Sequence, residues 1–298
     1  MKSLLNNEFF ARLETLALHL STDLRGFFGG KHRVRTYGQT VEFSDYREYQ
    51  LGDDIRRIDW NLYSRFEKFF LKLFTDERQM HLQVFLDCSA SMGKTNPAKA
   101  NYAIAIAAAL GYLSVHNMDK VSIKLIKKNI SEDLAGTIVG KNNFFRAVRE
   151  LENINFSGEA DISKAVKSCS APGYNDGLTV IISDFFTEND WKKAIDYLCF
   201  KKRQVLLIQV LSPDEIDPTY FGRMNLIDTE SVDFSDDKNM KIKITNSSMK
   251  AYEQALNEIF GDIKTFCNKR GVSFITTTCD KDLLKMLFNE LLRMGSKV

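Results

Sequence analysis

From about residue 79 onward, short apolar runs rich in β-branched residues alternate with amphipathic helical patterns, and no other feature constrains the fold as strongly. The runs predict strands over Leu82–Asp87, Val121–Ile126, Thr179–Ser183, Val205–Leu211 and Val272–Thr276. Between and after them the spacing predicts helices over Pro97–Val115, Phe144–Leu151, Ile162–Ser168, Asp190–Phe200, Ser248–Lys269 and Lys281–Met294. Continuous apolar strands separated by helices imply an α/β fold, a doubly wound, mostly parallel sheet covered on both faces. Val121–Ile126 and Leu134–Val139 have only a short polar connection, which suits an antiparallel hairpin. A second hairpin is expected as an insertion at about 214–247, pairing Met224–Glu230 with Met240–Thr245 across an Asp-rich turn at 235–239.

The first 78 residues read differently and are expected to form a separate N-terminal, β-containing subdomain (1–78) ahead of the α/β domain (79–298). A helix over Glu8–Leu20 leads to a Gly-containing stretch, and Phe66–Phe74 reads as a buried strand feeding the α/β core. Lys31–Arg65 carries seven basic and six acidic residues, interleaved, which suits internal ion pairing better than a patch of one sign. Tyr46, Tyr49, Trp60 and Tyr63 alternate with these charges. Two readings stay open: a partner surface anchored by aromatics and Arg, or a subdomain fixed by Arg–carboxylate pairs around Trp60. Phe27, Phe28, Phe69, Phe70, Phe144 and Phe145 are expected in the core.

Composition excludes several classes. The 41 Lys and Arg against 39 Asp and Glu give a net charge of +2, without the basic excess of a nucleic-acid binder. The five cysteines, at 88, 169, 199, 267 and 279, form no CxxC pair and read as reduced thiols, so a cytoplasmic protein is expected. The most apolar run, Tyr102–Val115, has 14 residues, the length of a buried core helix rather than a membrane span.

The chemistry concentrates at Val84-Phe85-Leu86-Asp87-Cys88-Ser89-Ala90-Ser91-Met92-Gly93, where an apolar strand ends in a carboxylate and two alternate hydroxyls before a helix. Ligand sites of open α/β sheets lie at the carboxyl ends of strands. Asp87, Ser89 and Ser91 form a hard-oxygen set suited to Mg²⁺, or equally a set of helix caps. A second strand end brings Asp184 as another rim acid or as a cap. Gly93-Lys94-Thr95 lacks a P-loop because the required first glycine is Cys88. An aspartyl-phosphate mechanism would need an acid where Ser89 stands. The four histidines (19, 32, 81, 116) nominate no triad, and there is no GxSxG elbow. No catalytic residue is nominated, and the chain is expected not to be an enzyme.

Asp87-Cys88-Ser89-Ala90-Ser91 resembles the metal-ion-dependent adhesion site of von Willebrand factor A-like domains. Upstream, the stretch from Glu42 to Trp60, with Tyr46-Arg47-Glu48-Tyr49 and Gly52-Asp53-Asp54-Ile55-Arg56-Arg57, resembles the signature of a narrower group. That group is the bacterial domain-of-unknown-function family fifty-eight, whose members often accompany MoxR-type AAA+ ATPases. The resemblance implies a six-stranded sheet with one antiparallel edge and a metal site of Asp87, Ser89, Ser91 and Asp184 holding Mg²⁺ or Mn²⁺. Where that pattern has a threonine this chain has Ala160, and Asp161 or a water is the substitute oxygen. It further implies a protein-interaction module serving a MoxR-type AAA+ ATPase and a protein client. The alternatives are a scaffold whose metal site has lapsed and, as an enzyme, a metal-assisted phosphoester hydrolase.

Overall fold

The computed structural model describes residues 5–20, 42–75, 80–94, 96–169, 177–187, 189–218, 222–226 and 240–295. The chain divides into two compact units, 29–79 and the remainder.

In the larger unit, α1 (Asn7–Leu20) precedes β3 (His81–Asp87), the short α3 (Ala90–Gly93), α4 (Pro97–His116) and the hairpin β4 (Lys120–Lys127) and β5 (Ile130–Ile138). There follow α5 (Lys141–Leu151), α6 (Ile162–Ser168), β6 (Leu178–Ser183), α7 (Lys192–Phe200), β7 (Gln204–Leu211) and the one-turn α8 (Pro213–Ile216). After the pair β8 (Gly222–Leu226) and β9 (Met240–Ile244), the chain closes with α9 (Asn246–Arg270), β10 (Ser273–Thr278) and α10 (Leu283–Gly295). Six strands form one sheet in the order β10-β7-β6-β3-β4-β5. All neighbours run parallel except β4 and β5. The expected doubly wound sheet with one antiparallel edge is therefore present. The chain leaves β3 toward β4 but later returns to β6 on the opposite side, so the strand order reverses between β3 and β6. Such a reversal opens a crevice at the strands' carboxyl ends.

The strands are apolar throughout because both faces are covered. Leu82, Val84 and Leu86 of β3 pack with α1, α4, α5 and α10, while Phe85 packs with Ile181, Leu207 and the residues of α6, α7 and α9. Helix α4 is apolar all round because helices cover it on the side away from the sheet. It is long and apolar enough to cross a bilayer, yet 89% of its apolar window is buried inside the fold.

The structure corrects several expectations. The first helix does not belong with the N-terminal subdomain: Phe10, Leu13 and Ala17 are buried in the α/β core, so the smaller unit is 29–79 rather than 1–78. The strand expected over Phe66–Phe74 is shorter and does not enter the main sheet. Within the smaller unit, β2 (Phe70–Thr75) pairs antiparallel with β1 (Glu42–Glu48), and Phe66 ends α2 (Trp60–Phe66). Trp60 is 60% exposed, touching Tyr63 and Phe69 edge-on, so it is not the buried centre of an Arg–carboxylate network. The interleaved charges instead pair locally, Arg47 with Asp53, Lys68 with Glu48, and Lys72 with Asp59, which also caps α2. Strand β5 begins four residues before the expected Leu134, because Lys128 takes a positive φ of 52° and closes the hairpin with Asn129 as a two-residue turn. The insertion hairpin is present as β8 paired with β9, and its Asp-rich turn, like the expected core residues Phe27 and Phe28, lies outside the described residues.

Arg203 ties together the amino-terminal ends of three strands. Its Nη2 donates to the carbonyls of His81 (2.9 Å) and Leu178 (3.1 Å), and its Nε donates to Thr179 Oγ1. Beside it the His81 ring lies 2.7 Å from Ser122 Oγ. Burial, with the charges of Arg203, Lys120 and Lys124, depresses the His81 pKa to about 4. A histidine whose folded pKa lies below its unfolded value of about 6.5 contributes stability above pH 6.5 that is lost as pH falls toward 4. Asp119, buried and raised to about 6, acts oppositely: its contribution is present at low pH and lost as pH rises through 6. The two offset each other in the wild type. His81→Asn is therefore expected to become more stable at pH 4.5 relative to pH 7.5 than wild type does, by ~2 kcal/mol after allowing for the ring's solvent-facing part. Urea titrations at the two pH values measure the difference, and equal pH dependence in both proteins would refute it.

Candidate functional site at the carboxyl ends of β3 and β6

Asp87, the last residue of β3, is only 4% exposed. Its Oδ1 accepts from the Ser89 amide at 2.9 Å, which bends the chain out of the strand. Its Oδ2 accepts from Ser183 Oγ at 2.6 Å, joining the ends of the two strands that flank the crevice. Ser183 Oγ in turn accepts from the Phe185 amide, in a turn where Phe185 has a φ of 57°. Burial first, and then the charge of Asp184, raise the Asp87 pKa to about 6.

The hydroxyls of Ser89 and Ser91 are hydrogen-bonded to each other at 3.1 Å. The loop carrying them is clamped to the one before α6, with the Ala90 amide on the Gly158 carbonyl (2.8 Å) and the Ser157 amide on the Cys88 carbonyl (2.9 Å). Cys88 is buried, and burial together with the Asp87 charge pushes its thiol well above the ordinary range. It is a packing residue rather than a thiolate nucleophile.

Asp184 reaches the same rim but has a partner that sequence reasoning missed. Its Oδ1 accepts from the Phe186 amide at 3.0 Å, and its Oδ2 accepts from Lys99 Nζ at 2.8 Å. The same ammonium donates to Glu215 Oε1 at 2.8 Å, and Glu215 Oε2 caps α8 by accepting from the Ser212 amide at 2.7 Å. Lys99 is fully buried in the first turn of α4. Burial opposes its charge, but Asp184 and Glu215 more than offset this, and its pKa lies above the ordinary lysine value. A signal was present: Lys99 is the only Lys, Arg, Asp or Glu in the apolar segment Pro97–His116. A lone charge in such a helix requires a buried counter-charge.

Asp161 takes a different part. Its Oδ1 accepts from the Lys164 amide, and its Oδ2 pairs with Lys164 Nζ at 3.2 Å, so it caps α6. Ala160 supplies no side-chain oxygen, and its carbonyl accepts from Asn189 Nδ2 at 3.4 Å. Among the described residues, no group of three or more His, Cys, Asp or Glu is placed to hold a metal ion.

The donor set can be tested against Mg²⁺. Octahedral coordination at about 2.1 Å places neighbouring ligands about 3 Å apart, the spacing of the Ser89 and Ser91 hydroxyls. Mg²⁺ is commonly held by one or two carboxylates while keeping several waters. Asp87, Ser89 and Ser91 fit an ion of that kind. Asp184 and Asp161 are engaged by lysines.

The family described as protein of unknown function DUF58 matches residues 45–258. Uncharacterized proteins of Mycobacterium tuberculosis and Mycobacterium bovis are each 27% identical over 226 residues, covering 74% of this chain and 71% of theirs. Among solved structures, a von Willebrand factor type A protein from Catenulispora acidiphila is 8% identical with a TM-score of 0.38. That similarity covers 76% of this chain and only 44% of the Catenulispora chain. The VWA domain of SpRpn10 is 9% identical with a TM-score of 0.40, covering 72% of this chain and 95% of that domain.

Proposed function

We propose that this chain, which belongs to the DUF58 family, is a non-enzymatic protein-interaction module that meets its partner at the carboxyl ends of β3 and β6. The observation that carries this reading is the convergence of Asp87, Ser89 and Ser91 on one rim, with the two hydroxyls within 3.1 Å of each other. Asp87, Ser89 and Ser91 would hold a Mg²⁺ or Mn²⁺ ion, which would offer a partner's Asp or Glu an open position. The chain supplies the rest: Ser183 orients Asp87, the Gly158 carbonyl fixes the Ser89–Ser91 loop, and the surrounding core excludes water from the carboxylate's inner side. Neither described histidine that reaches a secondary-structure end stands at this rim. His81 opens β3 and His116 closes α4, at the opposite end of the sheet from Asp87.

The proposed partners are a MoxR-type AAA+ ATPase and a protein client in the cytoplasm, a choice supported by the family resemblance. Capture of such an ATPase by the immobilised chain is expected to fall about tenfold or more with EDTA and with Asp87→Ala, the loss of roughly one charged anchor. Capture unchanged by both treatments would refute the cation-bridged interaction. It would favour a metal-free scaffold, the second reading, which Ala160 and the Lys99–Asp184 pair support. Turnover of phosphoesters with Mg²⁺ or Mn²⁺ that Asp87→Asn abolishes would refute both.

A further inference from the structure

Three features of Lys99 stand apart from the adhesion-type pattern. Its ammonium lies 2.8 Å from Asp184 Oδ2, its side chain is 1% exposed, and Glu215 holds it from a second direction at 2.8 Å. We infer that Lys99 is a tethered internal cation that withholds Asp184 from any divalent ion, so that the rim keeps its shape without metal and binds metal weakly until the ammonium is removed. The inference rests on the cation-bridged reading above and concerns how that site is regulated.

The argument is electrostatic and steric. A divalent ion approaching Asp184 would meet a like charge already in hydrogen-bonding contact with the carboxylate. Inside the protein little solvent intervenes to screen that repulsion. The ammonium has nowhere to withdraw, because its stem is packed in the first turn of α4 and its head is gripped by Glu215 as well. An ion at the rim is thus left with a single carboxylate, Asp87, and two neutral hydroxyls. Hard cations gain affinity with the number of charged oxygens supplied, so this set is a low-affinity one.

The test is titration of the full chain with Mn²⁺ alone, read by calorimetry and by the Mn²⁺ paramagnetic resonance signal. Lys99→Met, an unbranched side chain of similar length, is expected to bind Mn²⁺ about tenfold or more tightly than wild type, as a second carboxylate becomes available. Equal affinity in a folded Lys99→Met protein would overturn the inference and leave the cation-bridged reading standing. Absence of Mn²⁺ binding in both proteins would overturn the two together. Asp184→Asn supplies a second measurement should Lys99→Met fail to fold. Because Asp184 is already withheld, Asp184→Asn is expected to change Mn²⁺ affinity by less than about threefold. A loss of about tenfold or more would show Asp184 serving the ion and would overturn the inference.

Discussion

Replacing Lys99 by Met is expected to destabilise the protein by about 3–5 kcal/mol in metal-free buffer, lowering the melting temperature by roughly 10 °C. The size follows from what is left behind. Asp184 is 3% exposed and would lose the charge at 2.8 Å that compensates its burial, keeping the Phe186 amide. Glu215 loses less, since its side chain is 29% exposed and still caps the Ser212 amide. Removing one member of a buried ion pair is costly because the other stays desolvated, whereas removing both members can be nearly neutral. Lys99→Met combined with Asp184→Asn should therefore recover much of the loss, and a double-mutant cycle should give a coupling of about 1–3 kcal/mol. Glu215→Gln should cost only about 1 kcal/mol. Urea denaturation of wild type, Lys99→Met, Asp184→Asn, their double variant and Glu215→Gln decides the matter, and a Lys99→Met loss below about 1 kcal/mol would mean that the triad carries no burial penalty. Added Mn²⁺ should restore stability in Lys99→Met more than in wild type, because a ligand that binds only the folded state stabilises it in proportion to its affinity.

The residues legible in the sequence are those whose reason for being there is local. β3 and β6 are apolar on both faces because helices cover both, and this leaves an unbroken run that can be read directly. Asp87, Ser89 and Ser91 were recognisable because the strand end, the turn and the following helix occur within a few positions. Lys99 and Glu215 lie 116 positions apart, and Lys99 and Asp184 lie 85 apart, so no spacing rule connects them. The lone lysine of α4 announced a buried partner without identifying it. Asp161 was expected as a substitute oxygen ligand in place of the threonine, and in the structure its oxygens are engaged by Lys164 at the start of α6. The early start of β5 was hidden for another reason. Ile130–Asp133 contains Ser, Glu and Asp, which suit a polar loop as well as an exposed edge strand, and β5 is at the edge of the sheet.

The doublet Phe144-Phe145 shows how much tertiary placement adds to a pattern, and it carries the second large prediction. Both rings were expected in the core, yet Phe144 is fully buried and Phe145 is 38% exposed. Successive helical residues point about 100° apart, so one of the pair can face the sheet while its neighbour faces outward. Phe144 sits against Gly111 of α4 so closely that a Cβ built there would lie 2.8 Å from the ring's Cε2. Its centroid is 6.1 Å from Tyr112 and 6.2 Å from Phe10 of α1, so the ring joins α1 and α5 to α4. Phe144→Ala is expected to cost about 3–5 kcal/mol, the range for truncating a buried aromatic into a cavity that helices cannot close. Phe145→Ala removes a half-exposed ring and should cost about 1 kcal/mol. Loss of the Phe144 ring should also loosen α1, because Phe10 would lose the edge-to-face contact on that side. Phe145 also meets Phe10 edge-on, at 5.1 Å, so amide hydrogen exchange in Asn7–Leu20 should accelerate in both variants while the global loss of stability stays larger in Phe144→Ala. Equal destabilisation by the two variants would contradict the burial difference, and unchanged exchange in α1 would show that the helix is held without the Phe10–Phe144 contact.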